Sequence, residues 1–538
     1  MNPILIIGAG HNGLTTAYYL ARAGLKPLVL ERRGVVGGAA VTEEIAPGVR
    51  GPSLAHAIGP LRASVVRDME LGRRRVEFIH PDPRLVALSP AGRALPFSTD
   101  RDRTADAIRP LSATDAERYP EFCATLERLG AFLAPLLEMT PPSLHEPAAG
   151  ELWDLLKTGR RFRALGRTDS FRLLRWMPMA VADLVGEWFS TDLLQAAIAA
   201  RGIFGTSQGP WSAGTGALLL LNAATDPVPG GSSVLVKGGP GALTRGMAEA
   251  AREAGAEIRV GAAVSRILVR DGRAVGVLLE DGTELPAMAV VSNADPRRTF
   301  LELVDPVDLA PGFLTKIRNY RCPGTAAKVN LVLGDMPAFR SVANPADLRG
   351  RIHIGPDIDY LERAFDASKY GEISSQPYLD ITIPSLHDAV SGPPNRHVMS
   401  IYVQFAPYKL AQGHDWNESR DTLARTVVRT LEDYAPGIGA LIEHQQVLTP
   451  LELEQTYGLT GGHILHGEPS LDQLFTMRPV LGAAQYRAPV AGLYMCGAGT
   501  HPGGGITAAP GQNAAREILK DLKGRTAQVE ARGGASGL

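Results

Sequence analysis

The chain of 538 residues can bury a large core and is too long for one compact unit, so at least two domains are expected. Its 55 basic and 56 acidic residues almost cancel, which gives no electrostatic basis for binding nucleic acid. The three cysteines lie far apart without a C-x-x-C motif, a pattern that suits a reducing compartment. No apolar run is long enough for a spanning helix, and a strand already begins at residue 4, so we expect a cytoplasmic protein without a signal peptide.

The first fifty residues follow a strand, turn, helix and strand pattern that is typical of a dinucleotide-binding fold. The apolar run Ile4–Ile7 predicts a buried parallel strand, and a glycine-rich turn follows at once. Gly8 permits a tight turn, Gly10 lets the backbone approach a pyrophosphate, and Gly13 lets helix and strand pack closely. Glu31 ends the second apolar run, where a carboxylate accepts hydrogen bonds from ribose hydroxyls. These features together predict a bound nucleotide.

Two further glycine-rich segments indicate which nucleotide it is. Gly37 and Gly38 extend the fingerprint in the way that FAD proteins of the glutathione-reductase type do. Residues 492–505 predict a strand that runs into a glycine-rich loop, followed by a helix from about Thr507 to Leu519. The N-terminus of that helix suits the ribityl chain and the electron-rich pyrimidine edge of a reduced flavin. FAD is therefore the predicted cofactor.

The two ends of the chain together resemble the phytoene desaturase-like (carotenoid/retinoid oxidoreductase) family of FAD flavoproteins. Residues 500–506 are similar to the C-terminal cofactor motif of that family nearly residue for residue. Residues 461–468 and 471–479 resemble, in particular, the group called pyridine nucleotide-disulfide oxidoreductase domain-containing protein 2. The fingerprint and the resemblance, which covers roughly residues 4–522, imply these cofactor-binding residues: Gly8, Gly10, Gly13, Glu31, Gly37, Gly38, Val264, Gly497, Gly499, Thr500, His501, Gly505 and Ile506. A plain core valine remains the alternative for Val264.

The expected fold class is α/β, with a discontinuous Rossmann-like FAD-binding domain of glutathione-reductase type. The other part is an α+β substrate domain that contains a mixed sheet and a helical region. Asp-Gly pairs at 271–272 and 281–282 indicate a β-meander, and alternating runs at 378–383 and 398–403 predict strands of the mixed sheet. The predicted boundaries are 1–75, 230–300 and 485–522 for the FAD domain, 76–229 and 301–484 for the substrate domain with its helical part at about 111–221, and 523–538 for a flexible tail.

Few side chains are strong candidates for catalysis, because a flavin supplies the redox chemistry itself. His463 and His466 lie in a glycine-rich segment before the C-terminal motif, where one could take the proton that accompanies hydride loss. A structural role for each is the alternative. His56 could face the flavin ring, and His501 is expected to position the cofactor. The histidines are too scattered to predict a metal site.

The predicted function is that of an FAD-dependent oxidoreductase, a dehydrogenase, desaturase or isomerase that moves a hydride from an apolar isoprenoid or lipid-like molecule to flavin. The expected bond class is CH–CH. One alternative is a flavin-bound regulatory or interaction protein with little turnover. Another alternative is an NAD(P)H-dependent reductase. The sequence argues against it, because it has no C-x-x-C motif and no second nucleotide-binding fingerprint.

Residues 157–189 interleave arginines with large apolar residues. A basic amphipathic stretch of this kind predicts either contact with an anionic membrane surface or an ordinary solvated helix face. Apart from this membrane contact, the expected partner is an apolar small molecule, and the sequence does not indicate an oligomeric state.

Overall fold

The structure, a computed structural model, describes residues 2–144, 147–387, 392–393 and 395–534. The strands are β1 (Ile4–Ile7), β2 (Pro27–Glu31), β3 (Thr42–Ala46), β4 (Val49–Pro52), β5 (Phe78–Ile79), β6 (Leu85–Ser89), β7 (Arg93–Phe97), β8 (Leu235–Val236), β9 (Glu257–Val260), β10 (Val264–Arg270), β11 (Arg273–Leu279), β12 (Glu284–Pro286), β13 (Ala289–Ser292), β14 (Ala326–Leu333), β15 (Arg351–Ile354), β16 (Tyr378–Thr382), β17 (His397–Gln404), β18 (Ile442–Leu448) and β19 (Leu493–Met495). The α-helices are α1 (His11–Arg22), α2 (Ala63–Asp68), α3 (Arg101–Ile108), α4 (Ala113–Glu138), α5 (Ala149–Ala164), α6 (Gly166–Trp176), α7 (Val181–Gly186), α8 (Asp192–Ile203), α9 (Thr215–Thr225), α10 (Pro240–Glu253), α11 (Pro296–Arg298), α12 (Pro311–Asn319), α13 (Ile358–Lys369), α14 (Trp416–Tyr434), α15 (Ile438–Leu441), α16 (Pro450–Tyr457) and α17 (Ala509–Gly534).

A parallel sheet of five strands, in the order β19-β13-β1-β2-β9, carries the N-terminal fingerprint. Its central strands are buried on both faces, which explains their unbroken apolar sequence. One face packs against α1, α10 and α17 through residues such as Ile6, Leu14 and Ile518. The other face packs against the antiparallel meander β10-β11-β12 through residues such as Leu5 and Val277.

Among the described residues, a mixed sheet of seven strands follows the order β18-β14-β17-β16-β15-β6-β7, and only its β15–β6 pair is parallel. Alternation along its strands divides it into two unlike faces. One face holds Val329, Ile401 and Leu379 in a core shared with α14. A layer of helices that includes α3, α4 and α6–α9 forms a further core. These two sheets with their helices confirm the predicted α/β class and the mixed sheet.

Some elements differ from the sequence-based expectation. Helix α10 begins at Pro240, because proline suits the first turn of a helix. The C-terminal helix was predicted to end near Leu519, but it runs from Ala509 to Gly534. Residues 535–538 lie outside the described part, and the flexible tail at 523–538 stays a prediction. Strand β6 and the edge strand β7 were not predicted, since a short apolar run is ambiguous and β7 contains a proline, which edge strands tolerate. The other domain boundaries remain predictions.

Within the described residues, no helix has the length and apolar character needed to cross a membrane.

Candidate active site

A cavity of about 750 Å³ lies between the parallel sheet and the mixed sheet. Its wall includes Gly8, Gly10 and Glu31 from the ends of β1 and β2, together with Asp380 and Tyr402 from the mixed sheet. Ligands of open α/β sheets bind at the carboxyl ends of the strands, and their sites commonly have volumes of about 300–1,000 Å³. The cavity therefore has the place and the size of a cofactor and substrate site.

Glu31 is held rigidly at this wall. Its side chain is buried, Oε2 accepts a hydrogen bond of 2.8 Å from the Ala9 amide, and Oε1 accepts one of 2.9 Å from the Arg33 amide. A carboxylate has about four acceptor positions, so both oxygens can still accept hydroxyl groups. Gly13 does not line the cavity, but a Cβ atom there would lie 2.2 Å from the Gly8 carbonyl oxygen. The helix can approach the strand this closely only with glycine at that position.

Two helix N-termini border the same cavity. The first turn of α1 contains no acidic residue, and His11 at its start lines the wall. Burial is the main cause that lowers the pKa of His11 to about 4, so its imidazole is neutral, and its Nε2 has no hydrogen-bond partner among the described residues. Thr507 and Ala509 at the start of α17 also line the wall. Free amide groups and the positive end of the dipole make such termini suitable for phosphates and electron-rich rings.

The predicted cofactor-binding residues fall into two groups. Those in the cavity wall are Gly8, Gly10, Glu31, Gly37, Gly38, Val264, Gly505 and Ile506. Those behind the wall are Gly13, Gly497, Gly499, Thr500 and His501. The second group shapes the C-terminal loop: Thr500 Oγ1 donates to the Gly497 carbonyl at 2.8 Å, and His501 Nε2 donates to the Leu136 carbonyl at 2.8 Å. The residues at the wall fit a dinucleotide, with one carboxylate for hydroxyls and two helix ends for phosphate and flavin.

The two candidate histidines have different surroundings. His466 lines the cavity, its Nδ1 has no hydrogen-bond partner among the described residues, and burial lowers the pKa of its imidazole. His463 is buried away from the wall, and its Nδ1 accepts hydrogen bonds from the amides of Leu465 at 3.2 Å and Gly467 at 3.4 Å. The Nε2 of His463 lies 3.4 Å from a carboxylate oxygen of Glu468. Of the two, His466 therefore has a ring nitrogen free for a ligand within the described part of the chain.

Arg478 fixes the segment that carries these histidines. Its guanidinium is fully buried and donates hydrogen bonds to the carbonyls of Leu465 at 3.0 Å and of Ala498 at 2.8 Å. Ala498 belongs to the C-terminal glycine-rich loop, so one side chain joins the histidine segment to that loop. Tyr320 adds a hydrogen bond of 2.9 Å to the carbonyl oxygen of His466. The segment is thus a fixed part of the cavity wall.

A buried ionic row on the mixed sheet was missed by sequence reasoning. Lys328, Tyr402, Asp380 and His353 lie opposite one another on β14, β17, β16 and β15. Lys328 is 0% exposed and its Nζ lies 2.8 Å from Nδ1 of His56, while Nε2 of His56 lies 3.0 Å from Asp380 Oδ1. The strands that carry this row are far apart in sequence, so only their register brings the charges together. The one signal in the sequence was a polar residue at every second position of otherwise apolar strands.

Burial and the charges in this row oppose each other. Burial holds the pKa of Lys328 well below its ordinary value. Burial and then the charge of Lys328 lower the pKa of His56 to about 4. Burial alone would raise the pKa of the Asp380 carboxyl. The charge of Arg351, whose Nη1 lies 2.5 Å from the carboxylate, and the hydrogen bond from His56 outweigh burial and lower this pKa to about 2. Within the row, Asp380 is therefore the group whose charged form its neighbours stabilise.

Comparison with known proteins adds the family context. A family model described as "Flavin containing amine oxidoreductase" matches residues 13–519. A rat protein named "Pyridine nucleotide-disulfide oxidoreductase domain-containing protein 2" is 36% identical over 96% of this chain and 93% of its own length. One component of the limonene dehydrogenase of Castellaniella defragrans is 28% identical over 96% of this chain and 94% of its own length. A neurosporene-forming phytoene desaturase of Rhodobacter capsulatus is 26% identical over 94% of this chain and 91% of its own length.

Proposed function

The chain belongs to the flavin-containing amine oxidoreductase family, and from this premise we propose that it oxidises or isomerises an apolar isoprenoid or lipid-like molecule. The predicted FAD cofactor, the predicted oxidoreductase class and the resemblance to phytoene desaturase-like proteins are confirmed. The substrate class, the site residues and the membrane contact are the proposed parts.

The apolar wall of the cavity is the observation that carries the proposal. Beyond the glycine-rich turns, the cavity is lined by side chains of α4, α8 and α9, among them Leu137, Ala197, Leu218 and Leu221. Such a wall binds its ligand by removing apolar surface from water. Two of the relatives are named for their action on limonene and phytoene, which are isoprenoid hydrocarbons.

Charge in the cavity argues against an amine substrate, although the family name includes amines. Arg201 and Arg351 line the wall, and Lys328 lies behind Tyr402, with its Nζ 4.0 Å from the ring centroid. A protonated amine would meet the guanidinium groups of Arg201 and Arg351 in a buried environment, where like charges repel strongly. Burial lowers the pKa of Lys328, so the two arginines supply this repulsion. An uncharged substrate meets no such penalty.

FAD, when bound, supplies the acceptor for a hydride from the substrate. Glu31 would accept hydrogen bonds from ribose hydroxyls, and the N-termini of α1 and α17 would face the phosphates and the flavin. His466 would accept the proton, because its buried imidazole is neutral and its Nδ1 is free among the described residues. His463 would hold the loop of His466 in place.

We also propose that α5 and α6 contact an anionic membrane surface, from which an apolar substrate could reach the cavity. No residue of α5 is buried against the rest of the described chain, and Trp153 and Leu156 are 57% and 62% exposed. On α6, Phe171 and Leu174 are likewise exposed. Arginines interleave with these apolar side chains, as in helices that lie in the interface of anionic lipids.

A panel of reductants tests the proposed function. The FAD-loaded protein is mixed without oxygen with isoprenoid hydrocarbons and lipids, with amines such as putrescine, and with NADPH, and flavin absorbance is followed. We expect an apolar compound to bleach the flavin, and putrescine and NADPH to leave it oxidised over minutes. Rapid bleaching by NADPH would favour the reductase alternative instead, and bleaching by amines alone would contradict the proposal.

A further inference from the structure

Two arginine side chains meet at Gly231, in the wall of the same cavity. Arg201 on α8 donates a hydrogen bond of 2.7 Å from Nη1 to the carbonyl of Val228. Arg351 on β15 donates one of 2.6 Å from Nη2 to the carbonyl of Gly230. A Cβ atom on Gly231 would lie 2.9 Å from Arg201 Nε and 3.1 Å from Arg351 Nη2. Two guanidinium groups therefore flank one small space that glycine leaves open.

At this place the described residues supply the carboxylates of Asp226 and Asp380 for the guanidinium groups of Arg84, Arg201 and Arg351. Asp380 pairs with Arg351 at 2.5 Å, and Asp226 pairs with Arg84 at 2.5 Å. Arg201 is buried and forms no ion pair with any described residue. A buried guanidinium without a counter-ion is costly, and a second cation beside it adds repulsion. The site therefore favours a ligand that brings a negative charge.

Two hydrogen-bond donors near Gly231 also have no partner among the described residues. Arg351 Nε and Ser232 Oγ are buried without hydrogen-bond partners among the described residues, and both residues line the cavity. Buried polar groups in proteins are nearly always hydrogen-bonded, so unused donors at a cavity wall indicate a ligand with acceptor atoms. Oxyanions accept such bonds in pairs from a guanidinium.

The walls next to this site are apolar. The apolar residues that line the cavity beside Arg201 and Arg351 are Leu85, Ala197, Ala200, Leu218 and Leu221. A ligand that fills both regions needs an apolar chain and an anionic end.

We propose that the substrate carries a terminal oxyanion, a carboxylate or a phosphate, that binds between Arg201 and Arg351 while its apolar chain lies against α8 and α9. This inference rests on the proposed function, because it names the substrate class of the same cavity. Neutral hydrocarbons, such as those in the names of the relatives, would leave Arg201 without an ion-pair partner among the described residues.

The test titrates the FAD-loaded full-length protein with four probes of one chain length: dodecanoate, dodecyl phosphate, dodecanol and dodecylammonium. Binding is followed by the change in flavin absorbance, below the concentration at which the probes form micelles. We expect an anionic probe to bind about 10- to 100-fold more tightly than dodecanol, the equivalent of one or two charge-assisted hydrogen bonds. Dodecylammonium should bind most weakly. The two anionic arms distinguish a carboxylate from a phosphate, and equal binding of dodecanol and both anions would overturn the inference.

A variant ties the effect to Arg201. Arg201→Gln keeps an amide that can donate to the loop carbonyls. It should lower the ratio of the dissociation constants of dodecanol and the anionic probe by about 10-fold or more. The dissociation constant of dodecanol itself should change by no more than about twofold. The control is Arg128→Gln on α4, whose arginine pairs with Asp169 and does not line the cavity. Arg351→Lys is the second variant if Arg201→Gln does not fold; it keeps the charge, loses the paired donors and should also reduce the advantage of the anion.

Two further outcomes separate this inference from the proposed function. If dodecanol binds as well as both anions and an apolar compound reduces the flavin, the inference fails and the proposed function stands. If no probe changes the flavin spectrum and only amines reduce the flavin, both fail. An unchanged advantage of the anion in a folded Arg201→Gln protein also overturns the inference.

Discussion

Lys328 Nζ lies 2.8 Å from His56 Nδ1, so two basic groups share one buried hydrogen bond on the cavity side of the mixed sheet. The amine and the imidazole cannot both be positively charged at this distance without strong repulsion. The nearby Asp380 bonds to the other nitrogen of His56, which orients the ring. The relationship makes the ionic row sensitive to acid, because a proton added to His56 is placed directly against the amine of Lys328.

Stability should therefore fall as the pH falls from about 6.5 to 4. Burial lowers the pKa values of His11, His56 and His353 to about 4, below the ordinary 6.5, so the unfolded chain binds more protons in this interval and acid favours it. Urea unfolding at several pH values measures the effect. In His56→Gln the free energy of unfolding should depend less steeply on pH, by up to about 1.4 kcal/mol per pH unit. An identical slope in the variant would show that His56 does not contribute.

Replacing Gly13 with alanine should prevent FAD binding and destabilise the fold. The added Cβ would lie 2.2 Å from the Gly8 carbonyl oxygen, so the helix or the turn must shift. Such overpacking costs about 1–3 kcal/mol. The measurements are FAD content after purification and the urea midpoint. Gly34→Ala is the control, because a Cβ there meets nothing within 4 Å. Normal FAD content in Gly13→Ala would mean that the turn tolerates the shift.

Glu31→Gln should weaken FAD binding by roughly 10-fold, because a charged acceptor is replaced by a neutral one of the same shape. Titration of the apoprotein with FAD, followed by flavin fluorescence, measures the dissociation constant. Glu44→Gln provides the control, since Glu44 is exposed and lies outside the cavity wall. Equal affinities of the natural protein and both variants for FAD would show that Glu31 does not contribute to FAD binding.

His466→Ala should slow flavin reduction by roughly 10²–10⁴-fold with FAD content intact, as expected when a general base is removed. His463→Ala should have a much smaller effect on this rate, because His463 lies behind the wall. Stopped-flow absorbance with the best reductant of the panel gives both rates. Near-normal rates in both variants and in the double variant would mean that catalysis depends on positioning alone.

The double substitution Trp153→Glu and Leu156→Glu should lower binding to anionic vesicles by about 10-fold or more, because two apolar contacts are lost and two negative charges are added. Sedimentation with phosphatidylglycerol vesicles measures the bound fraction. Val307→Glu is the control, since Val307 is 85% exposed and lies far along the chain from α5. Equal binding of the variant and the control would contradict a membrane role for α5.

The sequence predicted those parts of the fold and site that lie in one continuous segment. Gly8, Gly13 and Glu31 follow from a local strand, turn and helix pattern, whose geometry is set by neighbours in the chain. Lys328 and Asp380 could not be found in this way, because their proximity depends on the register of strands far apart in sequence. The roles of the predicted site residues stay predictions until the variants are measured.

The central claim is that an apolar molecule binds against the cavity wall formed by α8 and α9 and transfers a hydride to the flavin. The most direct measurement compares flavin reduction in the natural protein and in Leu221→Asp, using the best apolar reductant of the panel. We predict unchanged FAD content, unchanged reduction by dithionite, and substrate-driven reduction slowed by about 10-fold or more, since a carboxylate in the wall disfavours apolar contact. An unchanged rate with the apolar reductant would contradict the claim.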